Sequence, residues 1–435
     1  MPFPPLSTTA PRSWRYTAEG GANLVVSFAG PADSPFVGHV LRLRKRKVGG
    51  ASRRQDDVVP NEVEVGFGAR VIAPLLGRDN VVEMVKIGLE RPWLEELVQV
   101  MLEDRCRPAE REGEDEVDVD APVGVLAEDL IAGEGVISIE IKPKWGFLPS
   151  LASLSPNTAE VKSLFCRTCM HRYYKGHDGA DEGFCPLDLY SGDGERVKRA
   201  LEQLYGSWES SGGTLNNLRV FFNGQRISPG ELASPPHALY TELSSLAALP
   251  PSHPPAALLT AALLPALLRS PLLSTLSRLQ ASLDALDIEG ITALLATHTL
   301  TRADLLAPPE RVAAEVTKLG AQPTLAEWSA CVARLAPALR AGREATARAL
   351  QIGAPRDAVL AYLLAATLKD CSLMVRLPPG GAEGDARVKA IDLDPKPIAR
   401  MAKYARMDTE IVESWKERLA QMSDEERAAV RTCRV

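Results

Sequence analysis

Residues 137–149 read ISIEIKPKWGFLP, and Pro143 is the residue that most restricts what this chain can build. Alternating Ile137, Ile139 and Ile141 prescribe a strand with an apolar face. Proline has no amide proton to give a central ladder, so Pro143 marks a strand end or an edge. Glu140, Lys142 and Lys144 alternate through that stop and share one face. Charge gathered at a strand end faces a cleft more readily than a core. A related arrangement recurs at 389–404, KAIDLDPKPIARMAKY, where Asp392 closes an apolar strand. Lys396, Arg400 and Tyr404 follow at i, i+4 and i+8, the spacing of one helical stripe. A metal-competent acid beside such a stripe suits Mg²⁺ and a highly phosphorylated ligand.

The chain has 435 residues, beyond the ~250–300 at which single cores stop growing, so two lobes are expected. Its 45% hydrophobic and 24% charged residues are an ordinary globular composition. The net charge of −6 argues against a general nucleic-acid binder, so any anion site must be a local gathering of cations. MPFPPLSTTAPRSW lacks the basic start and apolar core of a signal peptide. The longest apolar run, 256–268, is broken by Pro265 and too short to span a bilayer. A reducing intracellular compartment, cytoplasm or nucleus, follows as the expectation, with no membrane span and a monomeric chain.

The order of elements predicts an α+β protein. Residues 12–30 read as strand, glycine turn, strand, and 36–47 as a second alternating run with Arg42, Arg44 and Arg46 on one face. The acidic run 111–120 is expected to be a solvated loop. The strand-rich N-lobe would cover 1–125. A larger C-lobe, 126–435, would hold a strand or strand end within 137–149, a short strand at 216–224 and a helical, Pro/Ala/Leu-rich region over 226–350.

Several constellations carry chemistry. AEGGANLVVSF at 18–28 lacks the GxxxxGK[ST] pattern, which excludes the Walker mode of phosphate binding. A glycine pair between strands can still lie close over phosphates, although taken alone it is equally a hairpin turn. Arg42, on the next strand but one, stands where a phosphate-gripping cation would be placed, and LRLRKRK alone also reads as a charged edge. Asp370 falls at the end of an alanine-rich helix, and Asp392 at a strand end. Two such acids divide naturally into a base for an attacking hydroxyl and a metal ligand. Cys166, Cys169, Cys185 and His177 satisfy the tetrahedral N/S requirement of structural Zn²⁺; unligated buried thiols are the alternative.

The pieces EGGANLV, FVGHVLRLRK, ISIEIKPKWGFLP, CMHRYYK, CPLDLYSG, NNLRVFFNG, LDIEG, LKDCSLMV and IDLDPKPIARMAKY, in that order, resemble the inositol-pentakisphosphate 2-kinase family. The resemblance implies a two-lobed inositol-phosphate-kinase-like fold. It also implies ATP-dependent phosphorylation of the 2-hydroxyl of inositol 1,3,4,5,6-pentakisphosphate, giving the hexakisphosphate, phytate. Gly20, Gly21, Ala22 and Asn23 would form the nucleotide loop, Arg42 would hold ATP phosphates, and Glu140 and Arg219 would orient the nucleotide. Lys142 would stabilise the transferring phosphoryl group, Asp370 would be the base, and Asp392 the Mg²⁺ ligand. Lys144, His171, Lys175, Asn216, Asn217, Lys396, Arg400 and Tyr404 would line the inositide pocket, with Lys47 and Arg107 reaching it from the N-lobe. Two other readings stay open: a non-catalytic inositol-phosphate-binding scaffold, and a kinase for another inositol phosphate.

Overall fold

The computed structural model describes residues 3–48, 61–107, 109–176, 183–233, 238–296, 321–380 and 385–433. Among them, helices combine with two antiparallel sheets, one six-stranded and one five-stranded. β1 (Trp14–Glu19), β2 (Asn23–Phe28) and β3 (His39–Lys47) form a meander. β4 (Met84–Gly88), β5 (Asp115–Val117) and β6 (Val123–Glu128) complete the first sheet. β6 lies between β3 and β4, and β5 pairs with the end of β3. Alternation sets the faces of β3. Leu41, Leu43 and Lys45 are buried, while Arg42, Arg44 and Arg46 sit half-buried on the other side. Trp14, Leu24, Phe36 and Leu41 form a core with Leu94 and Leu97 of the helix Arg91–Glu103.

One expectation fails here. The acidic run is not simply a solvated loop, because Asp115–Val117 forms β5 and Asp115 is buried. The reason is charge matching across the strand pair, with Lys47 opposite Asp115 and Arg46 opposite Glu116. Lys45 Nζ lies 2.8 Å from Glu19 and 3.3 Å from Asp115, and its side chain is fully buried.

In the second sheet β7 (Ile137–Ile141) is central. β8 (Leu218–Phe222) and β9 (Gln225–Ile227) lie on one side of it, β10 (Ser372–Leu377) and β11 (Arg387–Ile391) on the other. Every residue of β7 is buried, and the strand ends two residues before Pro143, as a proline stop requires. The helix Gly194–Ser210 packs its stripe of Val197, Ala200, Leu201 and Leu204 into the same core. The helices Pro255–Arg269, Leu272–Leu283 and Pro355–Asp370 join it.

Pro265, read from sequence as a break, lies inside the continuous helix Pro255–Arg269. An interior proline costs about 3 kcal/mol. Leu258, Leu259, Leu263 and Leu267 are buried on that helix, and each such leucine returns roughly 1.5–3 kcal/mol. Packing wins over propensity. Among the described residues no single helix is long and apolar enough to cross a membrane.

Candidate active site

The two sheets meet at a cavity of about 530 Å³. The first sheet contributes the turn Gly20–Asn23 and Arg42. The second sheet and its connections contribute Glu140, Lys142, Asn216, Arg219, Asp370, Asp392, Asp394 and Lys396. The β1–β2 turn is closed by Gly20 N–H donating to Asn23 O at 2.9 Å. A Cβ placed on Gly20 or Gly21 would meet no atom within 4 Å, so the two glycines leave open space above the turn. That space is where a ligand's phosphates could approach backbone.

Arg42 reaches the cavity wall held by acids. Its Nη2 lies 2.8 Å from Glu64 Oε1 and 3.7 Å from Asp394 Oδ1. Glu64 is buried in the helix Asn61–Phe67 and also takes Arg44 Nη2 at 3.2 Å. When the Asn23 amide is turned so that it donates to Ala22 O, its oxygen accepts from Arg42 Nη2 at 3.1 Å.

On the opposite wall, strand register builds a chain of charges. Glu140 stands between Arg219 of β8 and Met374 of β10. Its Oε2 accepts from Arg219 Nη1 at 3.0 Å and its Oε1 from Ser372 Oγ at 2.8 Å. Ser372 Oγ also lies 3.3 Å from Asp392 Oδ2, and Lys142 Nζ lies 3.8 Å from the same oxygen. Asp392 lines the cleft with its side chain half exposed; partial loss of water, with the Glu140 charge, pushes its carboxyl above the ordinary value against Lys142 and Arg42.

Asp370 ends the helix Pro355–Asp370 and meets Lys396 Nζ at 2.5 Å. Desolvation acts to raise its carboxyl, but Lys396, Lys142 and Lys144 outweigh it and hold the group below the usual carboxylate range. Lys144 is pushed below the ordinary amine value by burial and by Lys142. Lys144 and Asp392 share an unusual backbone, with φ of +62° and +59°. Such strain in non-glycine residues concentrates at functional sites. Burial raises Tyr404, against the charge and hydrogen bond of Arg400, and the charge of Asp370 adds to the rise. The Tyr404 hydroxyl thus senses both Arg400 and Asp370, but Arg400, Tyr404 and Lys144 are not among the residues that line the cavity.

The remaining sequence candidates fall elsewhere or differ in detail. Lys396 is not on the helical stripe, because Arg400–Gln421 begins after Pro397 and Lys396 lies in the irregular segment between β11 and that helix. Asn217 serves through its carbonyl, which accepts Lys142 N–H at 3.0 Å. His171 lies on the helix Arg167–Tyr174, stacked 6.2 Å from Tyr174, and Lys175 follows that helix, exposed; neither lines the cavity. Lys47 and Arg107 do not line it either. Arg107 is bonded to Glu19 at 2.8 Å and to Asp115 O at 3.0 Å, and Lys47 is 3.3 Å from Asp115. These acids neutralise the cations that the resemblance assigns to the inositide.

Cys166, Cys169 and Cys185 do come together, and Cys433 joins them, all four sulfurs within 4.8 Å of one another. Cys433 N–H donates to Leu164 O at 2.8 Å, which anchors the fourth thiol. His177 lies outside the described residues. Sequence reasoning missed Cys433 because RTCRV offers no ligand spacing. Glu64, Ser372 and Asp394 were missed as well. Asp394 alone had a signal, as the second acid of IDLD.

An open glycine turn, an arginine braced by a buried acid, and two acids set among lysines are the parts of a phosphoryl-transfer site; the class is a kinase. Residues 16–410 match the family model described as inositol-pentakisphosphate 2-kinase, and the chain belongs to that family. It is 32% identical over 432 residues to the inositol-pentakisphosphate 2-kinase of Cryptococcus neoformans var. neoformans serotype D, covering 95% of each chain. The Arabidopsis thaliana protein of the same name is 29% identical over 457 residues, 92% of each. The one from Danio rerio is 30% identical over 233 residues, 49% of this chain and 44% of its own.

Proposed function

We propose that the chain transfers the γ-phosphoryl group of ATP to the 2-hydroxyl of inositol 1,3,4,5,6-pentakisphosphate, giving inositol hexakisphosphate. The observation that carries this reading is Asp370 set among Lys142, Lys144 and Lys396 on one side of a cavity whose other side holds Arg42 and the glycine turn. Two lobes, 1–125 and 126–435, would enclose ATP between them in the manner of inositol-phosphate kinases. ATP would lie under Gly20–Asn23, its phosphates against Arg42, with Glu140 and Arg219 orienting the nucleotide. Asp392 would hold Mg²⁺, whose charge neutralises the β- and γ-phosphates when bound.

Asp370 stays ionised because three amines favour its charged form, so it is ready to accept the hydroxyl proton. Lys142 stands between the acids to stabilise charge on the transferring group. Lys144, Lys396, Arg400 and Tyr404, with Asn216, would grip the substrate phosphates, and His171 and Lys175 would serve its outer edge. A substrate this anionic needs converging cations, and arginine binds phosphate bidentately.

Incubation with ATP, Mg²⁺ and a panel of inositol phosphates, followed by chromatography, tests the assignment. Conversion of the pentakisphosphate to the hexakisphosphate is expected. ATP binding without any transfer to the pentakisphosphate would reject it.

Structural zinc is assigned to Cys166, Cys169 and Cys185, with Cys433 as a fourth ligand. Four thiolates with sulfurs this close meet the tetrahedral demand in a reducing intracellular compartment. Elemental analysis should find about one zinc per purified chain, and its absence would leave the cluster as buried thiols.

A further inference from the structure

The helix Leu272–Leu283 sits in the Pro/Ala/Leu-rich region for which sequence offered no chemistry. Leu272, Leu273, Leu276, Leu279 and Leu283 bury its apolar faces. One stripe breaks the pattern: Ser277, Gln280 and Asp284 follow at i, i+3 and i+7. All three are spent on the segments that carry Lys144 and Asp370. Gln280 is fully buried. Its Oε1 accepts from Gly146 N–H at 2.8 Å, and its Nε2 donates to Lys144 O at 3.2 Å and to Leu368 O at 2.9 Å. Ser277 Oγ donates to Gly146 O at 2.6 Å. Asp284 holds Lys369 Nζ at 2.5 Å, and that ammonium lies 3.8 Å from the centre of the Trp145 ring.

We infer that Gln280 is a positioning residue that fixes the separation of Lys144 from Asp370. The argument rests on the roles proposed above for those two residues. Lys144 adopts φ +62°, a conformation an L-residue holds only when its surroundings impose it. Gln280 imposes it from both sides of the turn, through the carbonyl of Lys144 and the amide of Gly146. The same amide group satisfies Leu368 O, in the last turn of the helix that ends at Asp370, where carbonyls have no partner within the helix. One rigid planar group therefore ties the phosphate-binding amine to the proton acceptor. Tyr190 closes the arrangement: its hydroxyl lies 3.4 Å from Lys144 O and from Gln280 Nε2.

The test is Gln280→Met, which keeps length and removes every hydrogen bond. Active sites are counted by binding of a non-hydrolysable ATP analogue, so that misfolded protein does not enter the rate. Nucleotide affinity should stay within about twofold. The KM for the pentakisphosphate should rise, and kcat/KM per site should fall about 100-fold, the cost of a misplacement of about 1 Å. In a Lys144→Met background the KM effect should largely vanish, because Gln280 acts through Lys144. An unchanged inositide KM, or a cost that simply adds to that of Lys144→Met, would overturn the inference. Should Gln280→Met fail to fold, Ser277→Ala takes its place. Loss of that single bond to Gly146 should raise the inositide KM about threefold, and no rise counts against the inference. If Lys144→Met and Asp370→Asn themselves retain full turnover, the roles proposed for those two residues are what fail, while absence of any transfer by the parent protein would instead reject the proposed function.

Discussion

Replacing Asp370 by asparagine separates proton transfer from binding. The carboxylate is 59% exposed, and its pair with Lys396 spans 2.5 Å. Lys396 is only 10% exposed, so losing its charged partner costs more than a surface pair would, but the asparagine oxygen can still accept from the ammonium; a loss of about 1–3 kcal/mol is expected, and the variant should still fold. General base catalysis contributes about 10²–10⁴-fold, and kcat should fall by that factor. Substrate affinity should move the other way. A carboxylate ~8 Å from a substrate phosphate repels it by about 2 kcal/mol at an effective dielectric of about 20, before salt screening, and the amide removes that repulsion. The expected signature is a collapsed kcat with an inositide KM that is equal or lower. Product chromatography over a range of pentakisphosphate concentrations measures both. A kcat within tenfold of the parent, or a KM raised at unchanged kcat, would sink the assignment of Asp370 as base.

Three further outcomes follow from neighbouring geometry. Ser372→Ala removes the hydroxyl that stands 3.3 Å from Asp392, so the already raised carboxyl should rise further, shifting the acid limb of the pH–rate profile to higher pH. Asp115→Asn strips one of two acids from the fully buried Lys45 and should cost roughly 2–3 kcal/mol in urea unfolding. Burial acts to raise Asp115, but Lys47 and Lys45 prevail and lower it. Its contribution is therefore complete above the unfolded value of about 3.9 and is lost as pH falls through the lower folded value; the variant should lack that acid-side loss. Gly146→Ala would set a Cβ 2.6 Å from the Tyr190 ring, and overpacking of this kind costs about 1–3 kcal/mol; calorimetry should show the lower melting temperature.

Local pattern carried a good deal of this molecule. The isoleucine alternation of 137–141 and the proline after it specify a buried strand with a charged end. The glycine turn and the arginine strand were likewise readable, since each depends on neighbours in sequence. Asp370 and Asp392 were found as element-end acids for the same reason. What stayed hidden depends on distant partners. The burial of Asp115 is decided by Lys45 and Lys47 across a strand pair, and a run of acids cannot announce that. Cys433 lies far from Cys166 in the chain, so no spacing rule reaches it. Gln280 looked like one polar residue in a leucine-rich helix, because its meaning lies in three backbone groups that the fold brings to it. Lys396 was placed on a helix by its period, and the flanking Pro395 and Pro397 decided otherwise.

The left-handed backbone at Lys144 has a consequence for the durability of the protein. An L-residue pays roughly 1–2 kcal/mol to stay there, and Lys144 also carries an amine crowded by Lys142. Glycine would relax the first tension at an entropic cost of about 0.5–1 kcal/mol and remove the second outright. Lys144→Gly should therefore melt at or above the temperature of the parent in the absence of ligands while losing its hold on the inositide. The resting enzyme keeps a less comfortable loop than its fold would otherwise settle into, and arriving phosphates supply the counter-charge that makes the conformation worth holding.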